Sequence, residues 1–242
     1  MKITIVGATG QIGSQLVPLL TAAGHHVTAA SRASGVDAAI GSGLDAALRD
    51  ADAVIDVLNS ATTEDDAALA FFTATSSNLT VAAKKAGVRH YVLLSIVGVD
   101  ALQGGGYLRG KVVQEKTVAD SGLPYTIVRA TQFHELTELI AGSLVTDGQV
   151  HAPDALIQPI ASAEVAAVLA RIVAEPPADG VHDVGGPDTL TFAEMASLVL
   201  GLPAVVDQEA TYFGTPVTER SLVTGDDAER GTTRLSDWLG AR

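Results

Sequence analysis

The chain has 242 residues, of which 47% are hydrophobic and 18% are charged, and its formal net charge is −13. This composition excludes intrinsic disorder, which requires low hydrophobicity and dense charge, and the chain is long enough to bury a core without disulfides. The absence of cysteine excludes thiolate metal sites and a cysteine nucleophile. The excess of acidic residues makes nucleic acid and anionic membrane surfaces unfavourable partners.

No apolar stretch approaches the roughly 20 residues of a transmembrane helix. We therefore expect a cytoplasmic protein that binds neither nucleic acid nor a membrane. The sequence predicts no particular oligomeric state.

Short apolar runs alternate with longer alanine-rich stretches in the first half of the chain. The predicted strands are Lys2–Val6, His26–Ala30, Ala53–Leu58, Val88–Leu94 and Tyr125–Val128. The predicted helices are Gln11–Ala23, Glu64–Ala86 and Leu108–Ser121, and each is followed by a glycine. This alternation predicts an α/β fold built from βαβ units, with a doubly wound parallel sheet.

The pattern changes after about Thr131. Further helices are predicted at Gln132–Leu144, Ser162–Ala174 and Thr191–Leu200, with a short strand at Val181–Val184. Thr191, followed three residues later by Glu194, forms a capping box at the start of its helix. The last forty residues are rich in polar loop and turn signals. We expect residues 132–242 to form a smaller lobe that does not fold independently.

A glycine-rich segment, Gly7-Ala8-Thr9-Gly10-Gln11-Ile12-Gly13, joins the first predicted strand to the first helix. Glycines at this place permit a tight turn, and they let the backbone approach a pyrophosphate that lies on the helix N-terminus. The alternative is a cluster of ordinary turn glycines. The position between strand and helix favours a dinucleotide-binding loop. Its predicted cofactor contacts are Gly7, Thr9, Gly10, Gln11, Ile12 and Gly13.

The ends of the second and third strands carry further candidates. An NAD-selective site places an acid after the second strand, whereas Ser31 and Arg32 stand there and suit the 2′-phosphate of NADP(H). The alternative is a solvated surface arginine. Asn59 and Ser60 follow the third strand at the ligand edge of the sheet. Asn59 is a predicted cofactor contact, with a simple turn former as the alternative.

Ser95, Tyr107 and Lys111 form a second set of candidates. Ser95 closes a strand at the same edge, and Tyr107 and Lys111 are four residues apart on one helix face. An ammonium beside a phenol lowers the phenol pKa toward the operating pH, which suits acid–base catalysis. Ser95 is placed to hydrogen-bond a substrate carbonyl. Taken singly, each residue has a structural alternative, but together they favour an active site.

The whole pattern resembles the atypical branch of the short-chain dehydrogenase/reductase superfamily, in its NmrA-like NAD(P)-binding group. The residues that carry the resemblance are Gly7–Gly13, Asn78, Ser95, Tyr107 with Lys111, Gly122–Arg129, Tyr212–Gly214 and Arg220–Val223. The resemblance implies a Rossmann-type core over residues 1–131 with returning segments, and a nicotinamide cofactor. It also implies that Tyr107 donates a proton, that Lys111 contacts the nicotinamide ribose and the phenol, and that Asn78 organises a relay water.

The expected function is NADPH-dependent reduction of a carbonyl, or of another polarised double bond, in a small organic molecule. Gln132, Phe133 and His134 follow the strand that ends near Arg129 and are the predicted substrate contacts, in a lobe that covers the substrate. His134 and Glu138 have helical spacing but no third ligand, so no metal site is predicted. Two alternatives remain: a non-enzymatic NADP(H) sensor, and a reductase that passes hydride directly to a quinone or a flavin.

Overall fold

A computed structural model describes residues 1–62, 64–102 and 104–242. The helices are α1 (Gly13–Ala22), α2 (Leu44–Ala47), α3 (Asp65–Ala86), α4 (Gly106–Ala119), α5 (Thr137–Gly142), α6 (Ser162–Ile172), α7 (Phe192–Leu200) and α8 (Leu235–Gly240). The strands are β1 (Lys2–Val6), β2 (His26–Ala30), β3 (Ala53–Asp56), β4 (His90–Ile96), β5 (Tyr125–Ala130), β6 (Val145–Thr146), β7 (Gln149–Ala152), β8 (Leu156–Ile157), β9 (Gly180–Gly185), β10 (Leu190–Thr191), β11 (Ala204–Val206) and β12 (Glu229–Arg230). Short 3-10 turns occupy Arg32–Ser34 and His134–Leu136.

The main sheet has seven strands in the order β12-β9-β5-β4-β3-β1-β2. Strand β1 pairs in parallel with β2 and β3, and β3 pairs in parallel with β4. The sequence order reverses at β1 and β3, so the predicted doubly wound parallel sheet is confirmed. The register sets Val6 beside Asp56 and Asp56 beside Leu93. The carboxyl ends of these strands therefore meet at one edge, where open α/β sheets bind their ligands.

One compact unit consists of Met1–Ser95, Gly106–Val128 and Val165–His182. Its central strands β3 and β4 are almost wholly buried, which explains why their sequences are mostly apolar. Helices α3 and α4 pack on each other. Phe72 on α3 is fully buried, and at Gly110 of α4 an added Cβ would lie 2.6 Å from the Phe72 ring. The glycine therefore permits the close approach of these two helices.

The other compact unit consists of Ile96–Gly105, Arg129–Glu164 and Asp183–Arg242. It contains a three-stranded sheet, β11-β7-β6, and a pair formed by β8 and β10. Helix α5 packs on α7, which buries Phe192 and Met195. The capping box predicted at α7 is confirmed, because the Thr191 hydroxyl accepts from the Glu194 backbone N–H.

The predicted and observed elements differ most after residue 131. The helix predicted over Gln132–Leu144 is wrong in its first part. Phe133 is extended and bridges to Ile160, and His134 N donates to Ile160 O at 2.8 Å. Helix α5 therefore begins only at Thr137. The small strands β6–β8 and β10–β12 and helix α8 were not predicted.

Helix α4 begins two residues earlier than predicted. Gly106 N donates to Asp65 Oδ1 at 2.7 Å, and a Cβ at Gly106 would lie 1.8 Å from Asp65 O. Only glycine fits so close to the start of α3, and this contact fixes the start of α4. Within the described ranges, none of the helices has both the length and the apolar character needed to cross a membrane.

Candidate active site

The glycine-rich segment forms a tight turn between β1 and α1. Gly7 has φ +94°, and a Cβ there would lie 2.8 Å from Val57 O. A Cβ on Gly13 would lie 2.2 Å from Gly7 O and 2.6 Å from Ala8 Cα. Both positions therefore require glycine. This is the close packing of strand, loop and helix that a dinucleotide-binding loop needs.

The N-terminus of α1 suits a phosphate. Its first turn carries no acidic residue and its N-cap, Ile12, makes no side-chain capping bond. The helix dipole and the first N–H groups therefore favour an anion at this end. Thr9, Gly10 and Gln11 are exposed, whereas the Ile12 side chain is buried. Ile12 therefore offers a cofactor only its backbone.

Ser31 and Arg32 lie directly after β2. The Ser34 hydroxyl accepts from Ser31 N and donates to Ser31 O, both at 2.9 Å, which closes the turn. Arg32 is exposed, and among the described residues no carboxylate forms an ion pair with it. The guanidinium is therefore available to an anionic ligand.

Asn78 lies on α3, and its side chain is committed to a loop. Its Nδ2 donates to Ala38 O at 2.9 Å and to Ala39 O at 3.1 Å. Both N–H groups of the amide are therefore used in holding the segment that follows Ser31 and Arg32. This geometry gives Asn78 a structural role and offers no support for the proton relay implied by the resemblance.

Tyr107 occupies the first turn of α4. Its Oη donates to Asn59 Oδ1 at 2.8 Å, and its ring stands edge-on to Phe72 with centroids 5.4 Å apart. Burial raises the pKa of Tyr107 to about 12, although the bond to Asn59 acts in the opposite direction. The prediction that Lys111 lowers this pKa is therefore wrong for this arrangement. The phenol remains protonated at neutral pH.

Lys111 is turned into the protein and is only 4% exposed. Its Nζ donates to Leu94 O at 2.8 Å and to Gln114 Oε1 at 2.5 Å, and it lies 5.1 Å from the centroid of the Phe72 ring. Burial lowers the pKa of Lys111 to about 8, while the negative charges of Asp56 and Glu115 raise it. Among the described residues its ammonium bonds to Leu94 and Gln114 and makes no hydrogen bond to the Tyr107 phenol.

Asp56, Tyr91 and Gln114 form a buried polar cluster with Lys111 that the sequence analysis missed. Asp56 Oδ2 accepts from Tyr91 Oη and from Gln114 Nε2, both at 2.9 Å. Burial raises the pKa of Asp56 and of Tyr91. One signal was present: Asp56 is the only acid inside the apolar run Ala53–Leu58. A carboxyl in a buried strand requires partners.

Ser95 is 3% exposed, and its hydroxyl oxygen has no hydrogen-bond partner among the described residues. It lies within β4, one residue before the strand ends at Ile96. A buried hydroxyl without a partner costs about 1–3 kcal/mol. A substrate oxygen would supply such a partner.

The predicted substrate contacts belong to the unit that includes Arg129–Glu164. Gln132 is 5% exposed, and neither polar atom of its side chain has a partner among the described residues. His134 Nε2 bonds to Pro159 O at 3.1 Å, while Nδ1 is unpartnered there. Burial lowers the pKa of His134, so the ring is neutral. Phe133 between them is half-buried.

Comparison with known proteins gives two matches by sequence. The family model described as NAD(P)H-binding matches residues 7–176. The (4-alkanoyl-5-oxo-2,5-dihydrofuran-3-yl)methyl phosphate reductase of Streptomyces griseus subsp. griseus is 33% identical over 220 aligned positions, and the match covers 83% of this chain and 74% of that protein.

Solved structures resemble the chain in fold. An NADPH-dependent quinone oxidoreductase of Escherichia coli, in complex with NADPH, has a TM-score of 0.66 at 24% identity, over 85% of this chain and 77% of the other. A nucleoside-diphosphate-sugar epimerase of Staphylococcus aureus has a TM-score of 0.67 at 18% identity, over 87% and 81%. These likenesses show that the chain has a Rossmann-type α/β fold.

Fold, glycine loop and sequence matches agree on an NAD(P)H-dependent oxidoreductase, which confirms the class of enzyme and the nicotinamide cofactor. The chain belongs to the NAD(P)H-binding family, in the NmrA-like group of the atypical short-chain dehydrogenase/reductase superfamily. The resemblance described from the sequence is confirmed.

Proposed function

We propose that the chain uses NADPH to reduce a carbonyl group, or a C=C bond conjugated to one, in a small organic molecule, and that Tyr107 donates the proton. The observation that carries the proposal is the turn after β3. Val57 of this turn packs on Gly7 of the cofactor loop, and Asn59, two residues on, accepts from the Tyr107 phenol. One turn thus links the phosphate loop with the proton donor.

The residues that would hold the cofactor fit its chemistry. The loop Gly7–Gly13 receives the pyrophosphate, and Ser31 and Arg32 receive a 2′-phosphate. When bound, NADPH supplies a hydride to the electrophilic carbon of the substrate. Lys111 adds positive charge near this region, and we assign it to the nicotinamide ribose once its side chain turns outward. Asn59 follows β3 at the carboxyl edge of the sheet and is a further proposed cofactor contact.

Tyr107 supplies the second half of the reduction. As the substrate carbon gains hydride, the electron pair of the double bond moves to the far atom, and that atom takes the phenol proton. Asn59 Oδ1 accepts from the phenol in the resting state and fixes its position. Because the pKa of Tyr107 is about 12, the group is protonated and ready to donate at neutral pH. The phenolate then regains its proton from solvent.

The substrate contacts are proposed from unpartnered polar atoms. In the unit that includes Arg129–Glu164, Gln132 and His134 bury amide and ring atoms that have no partner in the described part of the chain. A carbonyl or hydroxyl oxygen of a substrate would satisfy such groups, and Phe133 offers an apolar surface. These three side chains are uncharged at neutral pH, which favours a neutral oxygen function in the substrate. In the unit that includes Met1–Ser95, the buried Ser95 hydroxyl is a separate candidate to bond a substrate carbonyl.

The curated relative supports the substrate class. Its named substrate carries an alkanoyl group and a ring carbonyl on one C=C bond. The relative is named a reductase, and it covers most of this chain. We therefore favour a conjugated carbonyl compound over an isolated ketone.

The test is Tyr107→Phe, which keeps the ring beside Phe72 and removes the proton donor. We expect kcat to fall about 10²–10⁴-fold, the usual contribution of general acid catalysis, with little change in the Kd for NADPH. The assay is NADPH absorbance decay against conjugated enones, ketones and quinones. Tyr125→Phe is the matched control, because this half-buried tyrosine lies outside the site, and it should keep the parental rate.

Two other results would contradict the proposal. Parental reduction of an enone by Tyr107→Phe would show direct hydride transfer without a tyrosine acid. Clear NADPH binding without turnover of any acceptor in the panel would indicate a redox sensor instead.

A further inference from the structure

We propose that Asp56 and Gln114 are positioning residues that hold the Lys111 side chain and keep it charged inside the cofactor-binding unit. The inference rests on the proposed function for the role given to Lys111. The hydrogen-bonded arrangement itself stands on the geometry alone.

The Lys111 ammonium has three N–H groups and no capacity to accept. Two of its contacts are acceptors, Leu94 O at 2.8 Å and Gln114 Oε1 at 2.5 Å, and the third is the face of Phe72. The ammonium therefore fixes the Gln114 amide with its oxygen toward Lys111. Its Nε2 is left to donate to Asp56 Oδ2 at 2.9 Å. A neutral amide thus connects the cation to the carboxylate.

Asp56 is fully buried and accepts from three donors. Besides Gln114, these are Tyr91 Oη at 2.9 Å and Leu58 N at 3.0 Å. Burial raises the pKa of Asp56, whereas its three donors and the positive charge of Lys111 act in the opposite direction and favour the carboxylate. The bond to Leu58 also folds the turn that carries Asn59. The Asp56 carboxylate therefore stabilises the positive charge on Lys111, and it also stabilises the turn whose Asn59 accepts from the Tyr107 phenol.

Charge balance explains why the cluster is needed. A buried ammonium without a counter-charge loses its proton instead of paying the desolvation cost. The titratable groups that face Lys111 are Asp56 from β3 and Glu115 from its own helix, with Tyr91 of β4 behind Asp56. Helix α3 contributes the Phe72 ring. Asp56, through Gln114, opposes the effect of burial on Lys111.

The ionisation of Lys111 can be measured without turnover. The chain has five lysines, Lys2, Lys84, Lys85, Lys111 and Lys116. Four of them are exposed, so the ¹³Cε resonances of ¹³C-lysine protein form a small, assignable set. Lys111→Met assigns the remaining signal in the cofactor-free chain. We expect this signal to titrate near pH 8.

Two variants test the positioning role. Gln114→Met keeps the shape of the side chain and removes the amide, and Asp56→Asn removes the counter-charge. Each should lower the titration midpoint of Lys111 by about one pH unit. The Kd for NADPH should then begin to rise at a correspondingly lower pH than in the parent.

Thr126→Val is the matched control. It removes a buried hydroxyl of the same unit that bonds His90 and Ala178 and does not face Lys111. Its midpoint should equal that of the parent. An unchanged midpoint in folded Gln114→Met overturns the inference, even if Asp56→Asn does not fold. Because the titration needs no substrate, failure of the proposed reduction would leave this result intact, and the two outcomes are distinguishable.

Discussion

Arg32 is the residue on which cofactor selectivity is expected to depend. It is exposed at the end of β2, beside a turn closed by Ser31 and Ser34. A charge-assisted bond to the 2′-phosphate contributes about 1.5–3 kcal/mol. Arg32→Ala should therefore weaken NADPH binding roughly 10- to 100-fold and leave NADH binding nearly unchanged. Fluorescence titration with both cofactors measures this.

Arg49→Ala is the matched control for that measurement, because Arg49 is an exposed arginine of the same unit. It lies beside Lys2 and His26, where β1 and β2 begin, whereas the loop Gly7–Gly13 follows the end of β1. Arg49→Ala should leave both affinities unchanged. Equal affinity of the parent for NADPH and NADH would contradict the assignment of Arg32.

Residue spacing predicted the position of Tyr107 and Lys111 but not the direction of their side chains. A separation of four residues predicts that both lie on one face of α4. In the structure both do lie on one face, because both side chains contact the Phe72 ring. Spacing does not show that the Lys111 ammonium turns to Gln114, three residues on. That choice depends on the Asp56 carboxylate, which is 58 residues from Gln114 in the chain. Contacts of such long range lie outside any local pattern.

At the scale of the elements, the start of α1 is defined by Gly13. A Cβ there would meet the backbone of Gly7 and Ala8, which is not free to move as a flexible side chain is. Gly13→Ala should shift the loop and weaken NADPH binding at least tenfold, measured by fluorescence titration. Gly142→Ala is the control, because outside its own helix and chain neighbours no described atom lies within 4 Å of its Cβ position at the end of α5. Gly142→Ala should bind NADPH with the affinity of the parent. If Gly13→Ala also binds NADPH as tightly as the parent does, the role given to the loop is contradicted.

The elements that the sequence predicted best are those determined by local pattern. β1 and β2 have the predicted bounds. In β1 the residues after Lys2 are all buried, as expected for a parallel strand covered on both faces, whereas β2 is a mostly exposed edge strand that β-branched and small residues and the following turn delimit. Apart from β6, which pairs with the adjacent β7, the two- to four-residue strands after residue 131 depend on partners far along the chain. Ala204–Val206, for example, pairs with Val150–Ala152. Pairing of this kind overrides the helical pattern expected from Gln132 onward.

At the scale of the whole molecule, the buried ammonium of Lys111 lowers the stability of the folded chain. Its proposed role in cofactor binding would explain why it is kept. Folded Lys111 has a pKa of about 8, below its ordinary value of 10.5. Between these two values the unfolded chain binds one proton more than the folded chain at this site. The free energy of unfolding therefore rises with pH through this window, by about 1.4 kcal/mol per unit. Below pH 8 the contribution is constant and unfavourable.

Comparison of the parent with Lys111→Met isolates this contribution, since most other titrating groups are common to both. Between pH 7 and pH 9.5, the free energy of unfolding of the parent should rise by about 2 kcal/mol relative to that of Lys111→Met. Urea unfolding followed by circular dichroism measures it. In the variant, Asp56 loses its cation and its pKa rises further, which changes the difference in the same direction. Measuring the effect of Lys111→Met again in the Asp56→Asn background separates the titration of Lys111 from that of Asp56. If the effect of Lys111→Met on the free energy of unfolding does not change with pH in either background, Lys111 is not held as a buried ammonium.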